Sequence, residues 1–347
     1  MKNNFMKRFN IFALIFTFSF MLLAGCKKEM DHPVNPDLAE VVPTDCGGTS
    51  PSNLWLLEQL TGWSQGAVNI ISNEEAAKLA IFVAIFSENS SENQYYGMNG
   101  EYTAQLNKGF KDLKRFWDIK SDDIIMVAAH GSMLQDREKV LKVYKAEYGY
   151  SDEKANYYAD SLTTLFKTYP EYLNGNHPFF TVNGYAHQEK NYPAVGKIQD
   201  KIVLGDGLLQ AFEALGYGDI APQAILAHEF AHHIQYNLGI KDYGIPLTPA
   251  GNRRTELMAD AYAAYFLSHP QGAAMQWKGV EQAAEVFSNL GDCLFDIELH
   301  HGTPTQRKVA TEWGYKLVND ADKQGYIINS REFASLFDAA LKDIVKN

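Results

Sequence analysis

The sequence predicts an α+β fold, mostly helical, in which a small antiparallel sheet packs on one long helix. Three observations carry this. Apolar residues recur at helical spacing through most of the chain. Strand-like pieces are few and short, and all lie before residue 207. A well-marked helix over residues 219–239 follows soon after the last of them.

The elements follow in order. Residues 53–60 read as a short amphipathic helix. Asn73 is a suitable N-cap for a stronger one, with Glu74 and Glu75 beside the positive end of its dipole. Leu79, Phe82, Val83 and Phe86 then fall at core spacing. Residues 102–117 form another helix, with Leu106, Phe110, Leu113 and Trp117 as its apolar positions. Residues 123–129 are apolar and β-branched, which predicts a buried strand. Helices are expected at 140–148 and 151–166, the second capped by Ser151. Residues 175–207 are rich in Gly, Pro and Asn, with two short strands at 179–185 and 201–204. The rest is mostly helical. No internal repeat or low-complexity tract interrupts it.

Composition excludes several classes. Apolar residues make up 46% and charged residues 21% of 347, so neither a largely disordered chain nor a multi-span membrane protein is expected. A net charge of −11 argues against a nucleic-acid partner bound through its phosphates. Three cysteines without a CxxC exclude a cysteine-based zinc ribbon and a disulfide-stapled scaffold.

Residues 1–25 read as an export signal. Lys2, Lys7 and Arg8 precede an apolar run over 11–23 that is short for a bilayer span. Leu23-Ala24-Gly25-Cys26 resembles the bacterial lipobox. That resemblance implies cleavage before Cys26, lipidation of its thiol, and a lipid-anchored protein of the bacterial cell envelope, on the periplasmic or cell-surface side of a membrane. Residues 26–52, with Pro33, Pro36, Pro43 and Pro51, read as a flexible tether. Residues 53–174 then form a helical N-terminal region, and 175–347 the core that carries chemistry. Cys46 and Cys293 are a candidate disulfide pair in an oxidising envelope, and can equally stay free.

The chemistry centres on His228-Glu229-Phe230-Ala231-His232. Pro222 suits the start of its helix and Gly239 its end. His228 and His232 stand one turn apart on one face, so both imidazoles can meet one tetrahedral zinc ion. Glu229 is angled toward the water on such an ion. The alternative is a core helix with internally bonded histidines, which would bury two imidazoles for no evident gain. A catalytic zinc needs a third protein ligand. A metzincin would place a histidine at Leu238 and a glycine at Gln235, so that class is excluded. Glu256-Leu257-Met258-Ala259-Asp260 is the better candidate. Its two carboxylates are the only charges in a nearly apolar helix over 256–267, one turn apart. Glu256 on zinc, with Asp260 accepting a proton from a ligand imidazole, would satisfy both. The competing reading pairs Glu256 with Arg253 or Arg254.

His228, Glu229, His232, Glu256 and Asp260 match the gluzincin pattern of HExxH plus a downstream glutamate. The chain is more closely similar to the neutral zinc metallopeptidase family of bacteria. Its members join an HExxHHxQ helix to an ExxAD helix and a later HGT-x-x-QR segment. The corresponding residues are 228–235, 256–260 and His301-Gly302-Thr303-Pro304-Thr305-Gln306-Arg307. The likeness spans residues 175–315 or so. Gly291-Asp292-Cys293 departs from the acidic pair often found there, which leaves the role of Asp292 open.

The resemblance implies a zincin-like core of minigluzincin type holding one zinc ion. It implies hydrolysis of a peptide or protein substrate by a zinc-activated water, with Glu229 as general base. His301, or its neighbour His300, is expected to donate a hydrogen bond to the oxyanion, with loop stabilisation as the alternative. Arg307 is expected to hold that loop through a carboxylate. His233 points elsewhere on its helix and is expected to be structural, and His130 has no partner that the sequence names. The strand at 201–204 offers an edge for an extended substrate, with Val203 near the cleft. Two further readings stand beside this one. The first is a catalytically idle zincin-fold lipoprotein that binds or assembles partners through its N-terminal helices. The second is a hydrolase of a non-peptide amide, such as a cell-wall link.

Overall fold

Strands that are apolar on both faces must be covered on both, and this requirement organises the protein. The computed structural model describes residues 37–44, 48–71, 74–240, 248–319 and 325–346. Its first part runs α1 (Pro51–Gln59), α2 (Gln65–Ile71), α3 (Glu74–Ser87), α4 (Thr103–Phe116), β1 (Ile125–Ala129), α5 (Arg137–Ala146) and α6 (Asp152–Thr168). Four strands follow: β2 (Gly184–His187), β3 (Lys190–Tyr192), β4 (Gly196–Ile198) and β5 (Lys201–Gly205). The chain then continues as α7 (Asp206–Ala214), α8 (Ala221–Leu238), α9 (Pro249–Ser268), α10 (Trp277–Asn289), α11 (Pro304–Asn319) and α12 (Ser330–Ile344). The fold is α+β and mostly helical, as the sequence predicts.

The sheet is mixed, where a wholly antiparallel one was expected. Its order is β1-β5-β2. β1 runs parallel to β5, with Val127 opposite Val203, and β2 runs antiparallel to β5, with Gly184 opposite Leu204. The long crossover through α5 and α6 is what permits the parallel pair. β3 and β4 form a separate hairpin.

Side-chain alternation divides the interior into two cores. Met126, Ala128, Ile202 and Leu204 join a core built with α4, α8 and α9. Val127, Ala129 and Val203 join a second built with α3, α5 and α6. This corrects two expectations. β5 is the central strand and offers no free edge, and Val203 points away from α8. Among the described residues, the edge strand that packs on α8 is β2. A third correction concerns residues 179–185. Pro178–Thr181 is a turn of 3-10 helix, with the His177 ring accepting from Phe179 N, and the strand begins only at Gly184.

Local chemistry sets the helix ends. Pro222 lies in the first turn of α8, and Gly239 ends it at φ 67°. Thr248 caps α9 by accepting from Gly251 N at 3.1 Å. Ser151 caps α6 as expected. Asn73 lies outside the described residues, as do the leader, Cys26 and Cys46. Cys293 is disulfide-bonded. In the segment expected to be a tether, Arg253 donates to Leu38 O and Ala39 O, and Leu38 packs on the first core. No helix among the described residues is long and apolar enough to cross a membrane. Gly314 lets α11 approach α9 closely, because a β-carbon there would stand 2.3 Å from Ala261 O.

Lys201 is a buried cation on the central strand. Its Nζ donates to Ile85 O at 2.6 Å and to Glu88 O, so it closes the C-terminal end of α3. Burial drives its pKa down to about 8, helped by the Lys142 charge. Replacing it with an apolar side chain would leave buried carbonyls without donors. We expect Lys201→Met to lower stability by about 1–3 kcal/mol, read as a lower urea midpoint at an unchanged slope.

Candidate metal centre

Two buried helices bring three ligand atoms together. His228 and His232 come from α8 and Glu256 from α9. His228 Nε2 stands 3.2 Å from His232 Nε2 and 3.3 Å from Glu256 Oε2. His232 Nε2 stands 3.6 Å from Glu256 Oε1. Ligands bonded to a tetrahedral zinc at about 2.0–2.1 Å stand roughly 3.3 Å from one another, so these three edges fit such an ion.

The protonation pattern points the same way. His228 Nδ1 donates to Asp260 Oδ1 at 2.9 Å, and His232 Nδ1 donates to Gln235 Oε1 at 2.9 Å. In the neutral rings each Nε2 then carries a lone pair, and both are turned toward one another and toward the Glu256 carboxylate. Acceptors that converge in so nearly buried a place suit a cation between them. Two imidazoles and one carboxylate are a donor set that suits zinc.

The surrounding groups hold the ligands. Asp260 is wholly buried and receives two bonds from Arg307, Nε to Oδ2 and Nη2 to Oδ1, both at 2.7 Å. Such a bidentate pair fixes the carboxylate that orients His228. Arg307 also donates to Leu290 O at 3.2 Å. Gln235 Nε2 donates to Thr255 O at 2.8 Å, which ties His232 to α9. Arg254 pairs with Asp338 at 2.6 Å, and Arg253 with the 38–39 backbone. These partners are other groups than Glu256, the alternative that the sequence offered.

Electrostatics follow from burial and these contacts. Burial alone would depress His228, but the Asp260 and Glu256 carboxylates outweigh it and raise its pKa to about 9. Burial would raise Glu256, yet His232 and His228 hold it well below the usual carboxylate range. Glu229 is raised to about 7, first by burial, with His228 opposing and Glu256 adding to the rise. Its carboxylate lies under β2, where a β-carbon on Gly184 would stand 2.9 Å from Oε1.

A second carboxylate organises the loop before α11. Asp292 Oδ2 accepts from His301 N at 2.8 Å and from His301 Nδ1 at 2.9 Å, while Oδ1 accepts from His300 Nδ1. Burial would raise Asp292, but these bonds hold it well below the usual carboxylate range. His300 is fully buried, whereas the His301 ring is half exposed and feels the Glu256 charge. Of the two, His301 is the one exposed, and its charge acts on both Glu229 and Glu256.

Two further histidines that the sequence singles out have other partners. His233 Nε2 bonds Lys201 O at 3.0 Å, beneath the sheet. His130 does have a partner, Asp206 Oδ2 at 2.8 Å, and it stacks on Tyr95. Arg307 holds a carboxylate, but it is Asp260 on α9. Gln235, Asp292 and Gly184 have roles the sequence reading did not assign. The i, i+3 spacing of Gln235 from His232 was the available signal for the first. Nothing short of the β2–β5 register reveals the third. In comparisons with family models, curated proteins and solved structures, the chain has no match.

Two outcomes are expected. Asp260→Asn should weaken zinc binding by about 10–100-fold in a competition titration with a chromophoric chelator, because it loosens both His228 and Arg307. Near neutral pH the metal-free protein carries a proton on His228 that ligation must expel. Zinc affinity should therefore rise by up to about tenfold per unit as pH climbs toward about 9, then level off. Calorimetry in buffers of different ionisation enthalpy should detect the released proton.

Proposed function

We propose that this chain is a zinc metallopeptidase with a zincin-like core of the gluzincin kind, belonging to the neutral zinc metallopeptidase family named above. The observation that carries the reading is the convergence of His228 Nε2, His232 Nε2 and the Glu256 carboxylate, with each imidazole held from behind by a buried partner. Zinc held there would supply Lewis-acid chemistry for the attack of water on an amide carbonyl.

The chain's own residues supply the rest. Glu229 is buried beside the ligands, and burial raises its carboxyl to about 7, where it can both take and return a proton near neutral pH. It takes the proton of the attacking water and delivers it to the leaving amine. His301 keeps Nδ1 on Asp292, which leaves Nε2 to donate to the oxyanion as charge develops there. Gly184 opens the edge strand β2 beside Glu229, and an extended peptide can pair there, while farther along the outward Ala186 carbonyl accepts from the Tyr236 hydroxyl at 3.0 Å. This edge replaces the one first expected at 201–204.

The same reading places the protein in the bacterial cell envelope, held to a membrane by lipid on Cys26. The lipobox-like Leu23–Cys26 segment supports it, and the disulfide at Cys293 fits an oxidising compartment.

Three substitutions test the chemistry. Glu229→Gln should retain zinc and lose about 10²–10⁴-fold in kcat on a denatured protein mixture. His301→Asn should retain zinc and lower kcat by about 10²-fold with little change in KM. Gly184→Val should also keep its zinc while kcat falls, because the new side chain displaces the Glu229 carboxylate. Wild-type protein that binds zinc but cleaves nothing over broad substrates would overturn the enzymatic reading.

A further inference from the structure

A cavity of about 420 Å³ lies on the α3 side of the sheet, among α2, α3, α5 and α6. Packed interiors leave few voids larger than a water molecule, and this volume falls in the range of about 300–1,000 Å³ that small-molecule sites occupy. Its long wall is a stripe on α6. Tyr158, Leu162, Leu165 and Phe166 stand at i, i+4, i+7 and i+8, so they share one helix face roughly 12 Å long. Exposure falls along that stripe, from 38% at Tyr158 to 6% at Phe166, which gives the cavity an outer end and an inner one. At the inner end the rings of Phe166, Tyr172 and Phe180 pack together, and Ile71, Leu79 and Leu134 add buried aliphatic walls. Among the described residues the lining carries no charged side chain and no member of the metal centre.

The outer end carries a cation. Lys154 lies one turn before Tyr158 on the same face of α6. Its Nζ stands 3.6 Å from the centre of the Tyr150 ring and 5.8 Å from that of Tyr158, and these two rings of the cavity wall lie 5.3 Å apart. Among the described residues the ammonium has no carboxylate partner, and the nearby Asp152 is already taken by Lys145 at 2.8 Å. The chemistry therefore runs from a positive charge at the surface to a wholly apolar inner end. A ligand that matches it throughout has an anionic head and a long apolar tail. An extended chain advances roughly 1.1–1.2 Å per bond, so the α6 stripe takes about ten carbons laid end to end.

We propose that this cavity binds a single fatty-acid chain of about ten carbons, with its tail along α6 and its carboxylate at Lys154. Burial of methylenes against Leu162, Leu165 and Phe166 supplies most of the affinity, while the Lys154 pair, open to water, chiefly sets the orientation. The site is separate from the metallopeptidase reading and requires neither zinc nor cleavage.

The test is calorimetric titration of the full chain with straight-chain saturated fatty acids of increasing length, with decanol as the uncharged probe. Affinity should rise by about fourfold for each added methylene, the equivalent of about 0.8 kcal/mol, and level off near ten carbons. Leu162→Trp and Leu165→Trp, which fill the cavity from α6, should each weaken decanoate and decanol alike by about tenfold or more. Lys154→Gln should weaken decanoate by about two- to fivefold and leave decanol unchanged. Circular dichroism establishes that each variant is folded. The length series on the wild type and the surface variant Lys154→Gln keep the test decisive if both tryptophan variants misfold. No binding, an affinity that does not follow chain length, or full affinity in a folded tryptophan variant overturns the site. Decanoate that binds no tighter than decanol, or that ignores Lys154→Gln, overturns the fatty-acid assignment.

Discussion

The buried Asp260 carboxylate is the contact on which the rest depends. It sits in an apolar helix with no exposure, where an isolated negative charge would be untenable. Arg307 supplies two charge-assisted bonds and His228 a third, so the charge is satisfied on both oxygens. Because those donors come from α8 and α11, one carboxylate joins three helices. It also fixes which nitrogen of His228 is left for a metal. Gly314 is part of the same device, since it lets α11 approach α9 closely.

The sheet serves that arrangement from the other side. β5 is buried on both faces and paired on both edges, so it acts as a rigid support for α8. β2, one strand out, is placed over Glu229. The absence of a side chain at Gly184 leaves room for the carboxylate, while Tyr185, one residue on, faces the opposite core. Alternation along four residues thus separates a face of small residues over Glu229 from an aromatic face near α3. Lys201 completes the support by closing the end of α3 from within the central strand.

Much of the site was legible because it is local. His228, Glu229 and His232 are spaced by one helical turn, and Glu256 and Asp260 by another. Helical geometry alone therefore fixes which of them share a face. Helix ends were legible for the same reason: Pro222, Gly239 and Ser151 act through their own backbone conformation or a single side-chain bond. What was not legible depends on pairing between distant segments. The partner of residues 125–129 is residues 201–205, and nothing in either string states that they run parallel. The central position of β5, the turn of Val203 toward the α3 core and the place of Gly184 over Glu229 all follow from that pairing. Asp292 belongs to the same class, because its link to His300 and His301 depends on how a loop folds back. The strand expected at 179–185 failed through local chemistry, as Pro178 and the His177 cap favour a helical turn.

Anomalous diffraction at the zinc edge, from crystals of the zinc-loaded protein, tests the central claim most directly. The account predicts a single strong peak bonded to the Nε2 atoms of His228 and His232 and to the Glu256 carboxylate, with Asp260 still joined to Arg307. Absence of a peak there in protein shown to contain zinc, or a peak coordinated by other side chains, would contradict it.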